Sequence, residues 1–164
     1  MLCPVPEGTT MKAIVYEGFG SPDILRCQET EKPAPVDGEV LVKVRAASIN
    51  PLDWKMMKGG PILFRLLLGI GKPKVKRPGV DIAGVVEGVG RNVSEFKSGD
   101  EVFGTCVGAF AEYATSTSAF GMKSALVIKP KNVSFEQAAS APVAALTALQ
   151  VFATRGMFSR VKEF

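Results

Sequence analysis

The chain has 164 residues, 46% hydrophobic and 22% charged, which is enough apolar material for one domain to bury a core without disulfides. Its histidine count of 0 excludes Ser-His-Asp and Cys-His catalytic units, His-ligated zinc or haem, and any imidazole pH switch built from this chain alone. Lys+Arg 20 against Asp+Glu 16 leaves +4, and Lys72, Lys74, Lys76 and Arg77 cluster in one Lys/Pro run; with no interleaved aromatics and no helix-turn-helix or RNA-motif pattern, that run reads as a solvated loop, so no nucleic acid is expected.

Residues 1–11 read as a lead-in, with Met11 an alternative start, and the opening Met1-Leu2-Cys3-Pro4 lacks the basic and apolar regions of a secretory signal. Residues 12–16 predict a strand closed by the turn residues Gly18, Gly20, Ser21 and Pro22, and 24–30 the returning strand. Next, Val40, Val42 and Val44 alternate with Leu41, Lys43 and Arg45, which predicts a half-buried strand with the valines on one face, running on to Asn50. Pro51 lacks an N–H and so suits the first turn of a short helix over 51–58. Residues 59–79 form the longest irregular candidate. Its apolar run 62–70 falls far short of the ~20 residues of a membrane span and contains Arg65, so no membrane is expected and the protein reads as cytoplasmic.

Strand character resumes over 80–90, where glycines mark bends or close backbone approach. Lys97-Ser98-Gly99-Asp100 is a tight turn into a strand at 101–104, and 108–114 and 126–129 supply two more. Ser134-Phe135-Glu136-Gln137 fits a capping box that opens a helix up to Ala141. Pro142 begins a second helix with Val143, Leu146, Leu149 and Phe152 or Ala153 on its apolar face. The order predicts a mainly β fold with appended helices: a twisted, partly closed β-barrel, not an alternating β-α-β sheet.

Two glycine motifs fail. Gly69-Ile70-Gly71-Lys72 has Pro73 where a phosphate-binding loop needs Ser or Thr, and counting from Gly88 the last glycine of a dinucleotide loop is Val93. Cys3, Cys27 and Cys106 are too far apart for a Cys-x-x-Cys motif and read as reduced thiols. Asp81 is an acid inside an apolar run, which is costly to bury; it either caps a turn after Pro78-Gly79 or is functional. Asn50 ends a strand at a helix start and carries both donor and acceptor atoms. It suits a carboxamide or carbonyl ligand, or else satisfies local backbone, as Asp53 does. Trp54 is by default a packing residue.

Eight segments in order then resemble one family. They are Met11-Lys-Ala-Ile-Val-Tyr, Gly20-Ser-Pro-Asp-Ile-Leu, Glu39-Val-Leu-Val-Lys-Val, Ala47-Ser-Ile-Asn-Pro-Leu-Asp-Trp, Pro78-Gly-Val-Asp-Ile-Ala-Gly-Val-Val, Phe96-Lys-Ser-Gly-Asp-Glu-Val-Phe-Gly, Gly108-Ala-Phe-Ala-Glu-Tyr-Ala and Pro142-Val-Ala-Ala-Leu-Thr-Ala-Leu-Gln. Together they resemble the N-terminal domain of a medium-chain dehydrogenase/reductase of the zinc-independent, quinone-oxidoreductase-like branch. The resemblance implies a GroES-like β-barrel over 12–141 and a linking helix in 142–164, leading in complete enzymes to a Rossmann domain that holds NADP(H) or NAD(H). It also implies a small apolar quinone or enone-type substrate, hydride transfer, and a possible homodimer in the complete enzyme. Carried over, Asn50 and Thr147 border the cofactor, and Trp54 and Asp81 the substrate pocket, whose mouth the run 62–70 forms. No catalytic acid or base is assigned. Zinc-dependent relatives place Cys at Asn50 and His at Asp81 and carry a four-cysteine lobe absent here, so no zinc is expected.

After Gln150 no Gly-rich strand-turn-helix follows, which implies the substrate-side part of an oxidoreductase, inactive alone. The alternative is a non-enzymatic β-barrel module that binds a partner or apolar ligand through the face left open around Leu146, Leu149 and Phe152.

Overall fold

The computed structural model describes residues 10–59, 76–116 and 126–154. The apolar run 62–70, the rejected phosphate-loop motif at 69–72, Lys72 and Lys74, and residues 155–164 lie outside the described residues.

Strand β1 (Thr10–Val15) pairs antiparallel with β2 (Arg26–Glu31), with Ile14 opposite Cys27, after a 3-10 turn at Pro22–Ile24. The strand starts before the expected residue 12: Met11 is a core residue of β1, 2% exposed, and not lead-in. Burial fixes this, because Met11, Ala13 and Val15 share one face and pack with Ala111 and Tyr113.

The main sheet has the order β6-β3-β4-β5-β7, built from β3 (Val40–Ser48), β4 (Asp81–Val89), β5 (Glu101–Thr105), β6 (Tyr113–Thr115) and β7 (Leu126–Ile128). The expected strand at 108–114 shrinks to β6 at its far end. Residues 110–112 instead stitch the two sheets together: Ile14 N donates to Phe110 O (2.8 Å), Glu112 N to Lys12 O (3.0 Å) and Val44 N to Glu112 O (2.9 Å). The two sheets are thereby joined; the main sheet buries a core of Val40, Val42, Ile82, Val86, Val102, Cys106, Ala109 and Ala114, beside the smaller cluster under β1.

In β3 the valines point inward as expected, with one departure: Leu41 is also buried. A register shift between Leu41 and Val42 bends the strand there, and both of its faces are covered. A second shift between Val44 and Ala46 leaves Arg45 unpaired and brings Ser48 opposite Asp81, which lies opposite Thr105 on its other side.

Helix α1 (Pro51–Lys58) starts on Pro51 and stops at Gly59, whose φ of 76° lets its N–H reach Lys55 O and Met56 O, both at 3.1 Å. Helix α2 (Phe135–Ala139) opens on the expected capping box, with Gln137 N donating to Ser134 Oγ (3.2 Å) and Ser134 N to Gln137 Oε1 (2.9 Å). It ends two residues earlier than expected, and the ring of Pro142 disfavours helical geometry at the Ala141 before it. Ala138 and Ala139 pack on Ala83 of the central strand. Helix α3 (Pro142–Thr154) follows at once, and Leu146, Leu149, Val151 and Phe152 on it are about half exposed.

Candidate functional site

The chemistry-bearing residues converge where β3 ends and where β4, α1 and α3 begin. Ser48 is the last residue of β3 and Asp81 the first of β4; after the exposed Ile49, Asn50 turns the chain into α1. Asn50 is extended (φ −117°, ψ 158°), the usual geometry of a residue just before a helix. Its backbone N–H donates to Asp53 Oδ2 at 2.6 Å, so the third residue of α1 clamps the residue before it.

Asn50 and Asp81, both singled out from the sequence, are in contact. Asn50 Nδ2 donates to Asp81 Oδ2 at 3.1 Å and lies 3.3 Å from Ser48 Oγ, while Ser48 Oγ–H donates to the same Asp81 oxygen at 3.3 Å. The backbone N–H of Val143, in the first turn of α3, completes the set on Asp81 Oδ2 at 3.1 Å. Asp81 therefore does not cap the turn after Pro78-Gly79. Its bonds go to β3, to the residue before α1 and to α3, and they tie those elements to the end of the central strand.

Asp81 is fully buried and Asp53 is 5% exposed, and each has an Oδ1 without a hydrogen-bond partner among the described residues. No ion pair to either is found among the described residues. Burial raises the pKa of Asp81 above the ordinary 3.8, against the pull of the bonds from Val143, Asn50 and Ser48. Asp53 is raised for the same reason, with the Asp81 charge adding to it. Burial also raises Tyr16, and Asp53 adds to that shift. Behind the site, burial first and the two carboxylates second push the Cys106 thiol up to about 12, so it is an inert core residue.

Trp54 stands one turn beyond Asn50 on α1, 45% exposed, with Lys58 Nζ 5.0 Å from its ring centre. Thr147 lies exposed on α3, one turn past the Val143 that bonds Asp81. The sequence reading missed Ser48 and gave Asp53 only a local role. The spacing carried a signal for both, since period two puts Ser48 on the face of Asn50, and Asp53 holds the third helical position that closes a capping box.

The donor set is a carboxamide, two carboxylates and a hydroxyl; among the described residues no group of three or more His, Cys, Asp or Glu is placed to hold a metal ion. None of these donors is a thiolate or an imidazole, the usual ligands of zinc.

Residues 36–137 match the alcohol dehydrogenase GroES-like domain family. The chain is 41% identical over 145 residues to a chloroplastic quinone-oxidoreductase homolog of Spinacia oleracea, covering 85% of this chain and 41% of that protein. It is 36% identical over 149 residues to the chloroplastic NADPH-dependent alkenal/one oxidoreductase of Arabidopsis thaliana, covering 84% and 36%. Its fold matches the quinone oxidoreductase of Coxiella burnetii with a TM-score of 0.75 at 33% identity, covering 88% of this chain and 45% of that one. The chain thus spans about two fifths of the length of the curated relatives it matches.

Proposed function

This chain belongs to the medium-chain dehydrogenase/reductase superfamily, in its quinone-oxidoreductase-like branch, with that superfamily's alcohol dehydrogenase GroES-like domain; we propose that it forms the substrate side of an NADP(H)-dependent oxidoreductase that reduces quinones or activated alkenes and carbonyls by hydride transfer. The observation that carries this reading is the Ser48–Asn50–Asp81 cluster, bonded through Val143 to the first turn of α3. The residues fit a nicotinamide cofactor: Asn50 Oδ1 has no hydrogen-bond partner among the described residues, and Thr147 is exposed on the neighbouring helix. When bound, the cofactor supplies the hydride. On this reading Asn50 and Thr147 position its nicotinamide end, Asp81 holds the pocket floor and Trp54 forms part of an apolar wall; the residues orient and exclude water rather than transfer a proton.

The same proposal takes residues up to Ala141 as the substrate-side unit and α3 as the link onward. It assigns a small apolar quinone or enone as substrate, no zinc, a cytoplasmic protein, a homodimer in the complete enzyme, and inactivity of these 164 residues by themselves. A second reading, a non-enzymatic binding module, is favoured by the exposure of Leu146, Leu149, Val151 and Phe152. Titration with NADPH and NADP+ together with a quinone and enone reduction assay separates the two. Reduction that depends on NADPH, in the protein that carries these residues in its complete length, is expected. Its absence there would sink the oxidoreductase reading, and turnover by the 164 residues alone would sink the division of labour.

A further inference from the structure

Both protons of the Asn50 carboxamide are committed inward. One meets Ser48 Oγ at 3.3 Å and the other Asp81 Oδ2 at 3.1 Å. The reverse orientation would set Asn50 Oδ1 against an Asp81 oxygen on which Val143 N–H and Ser48 O–H already converge, an acceptor facing an acceptor. A proton carried on Asp81 Oδ1 would leave Oδ2 the acceptor of the converging donors and the same conflict in place.

The outward atom of Asn50 is therefore its Oδ1, which is not among the sealed, unpartnered atoms of the described residues. The residue sits at the corner between β3 and α1, 8% exposed, with its backbone N–H held by Asp53 and its side-chain nitrogen held by Ser48 and Asp81. From this geometry we propose that Asn50 meets its ligand only as a hydrogen-bond acceptor, and that Asp81, with Ser48, is the positioning residue that enforces this.

The group received at Asn50 must then be a donor. It is not the carbonyl oxygen of a quinone or enone, which the sequence alone had left open. Resting on the reading that Asn50 borders the nicotinamide, the donor is the N–H of that ring's primary carboxamide. Asp81 thereby sets which face of the carboxamide the site accepts without touching it.

Side-chain amide hydrogen exchange tests the orientation with no cofactor present. Asn50, Asn92 and Asn132 are the asparagines of the chain, and the last two are exposed, so they serve as internal references. The Asn50 NH2 protons should exchange about tenfold slower than theirs, as expected for a bond of ordinary net strength. Asp81→Asn, which keeps an acceptor for Val143 N–H, should retain the protection. Asp81→Leu should lose it, and Ser48→Ala should lose part of it even if the leucine variant fails to fold. Asn50 protons that exchange as fast as those of Asn92 would overturn the proposal.

The ligand half is read by dissociation constants of the complete protein for NADP+ and for its 3-acetylpyridine analogue, in which a methyl replaces the carboxamide NH2. The analogue should bind about tenfold more weakly to the unmodified protein and to Asp81→Asn, and the difference should shrink in Ser48→Ala, which loses one of the two acceptors that hold the Asn50 amide. Equal binding with a protected Asn50 amide overturns the carboxamide assignment, and with it the placement of the nicotinamide, while the orientation of Asn50 stands.

Discussion

Asn50 Nδ2 lies 3.1 Å from Asp81 Oδ2, and the same oxygen receives the Val143 backbone N–H at 3.1 Å. One buried atom thus holds both the side chain of the candidate site and the start of the helix that carries Thr147. The bonds join local structure to function: β3 and β4 set Ser48 opposite Asp81, the capping interaction of Asp53 turns the chain, and α3 is docked through its own unpaired N-terminal N–H.

Asn50→Leu keeps the side-chain size but removes the contacts to Ser48, Asp81 and the ligand. In the complete protein it should lower kcat/KM for NADPH-dependent quinone reduction by about 10- to 100-fold, the value of one or two hydrogen bonds at a buried site. Steady-state kinetics check this, and an unchanged kcat/KM would remove Asn50 from the site.

The buried carboxyls make stability depend on pH with a definite sign. Asp81 and Asp53 are raised above 3.8 in the folded protein, chiefly by burial. A raised carboxyl contributes stability below the unfolded value, and that contribution is lost as pH rises from there through the folded value. Asp81→Asn removes one such group while keeping an acceptor for Val143 N–H. Its advantage over the unmodified chain should be smallest near pH 4 and grow toward pH 7. Urea unfolding at several pH values measures this, and a difference that shrinks with pH would contradict the buried-acid account.

Much of this was legible in the sequence because period-two patterning, turn residues and the two helix-start signals agree with one another. The alternation of Val40, Val42 and Val44, Pro51 at the start of α1 and the Ser134 capping box all appear where the pattern puts them. What could not be read depends on contacts between distant segments. The burial of Leu41 and the pairing of Ser48 with Asp81 follow from register shifts in β3, which no local pattern announces. The strand at 108–114 gave way because residues 110–112 bond to β1 and β3 from between two sheets. From the residues alone Asp81 read more readily as a turn cap than as a site residue, and what decides it is a bond to Val143, 62 positions along the chain.

Thiol chemistry should divide the cysteines. Cys27 is exposed on β2, whereas Cys106 lies in the main core with its thiol pushed up to about 12. In a Cys3→Ser background, an aromatic disulfide reagent at neutral pH should modify Cys27 promptly and Cys106 only at the rate of unfolding. Prompt modification of both would show that the core behind Asp81 is open to solvent.

Gly84 tests whether the contact of β3 with β4 is as close as the site requires. A Cβ added there would come within 2.2 Å of Lys43 O and 2.8 Å of Val42 Cγ1, both on β3 and both part of closely packed structure. Gly84→Ala must therefore push β3 away from β4, at a cost of about 3 kcal/mol. The strain acts on the strand pair that sets Ser48 opposite Asp81, so the Asn50 amide should also lose its exchange protection in this variant. Gly88→Ala on the same strand is the control, since its nearest neighbour would be Pro35 Cγ at 4.0 Å, an ordinary contact. Its effect should stay within about 0.5 kcal/mol. Equal urea midpoints for the two variants would mean that β3 does not approach Gly84 as closely as its backbone pairing with Val44 implies.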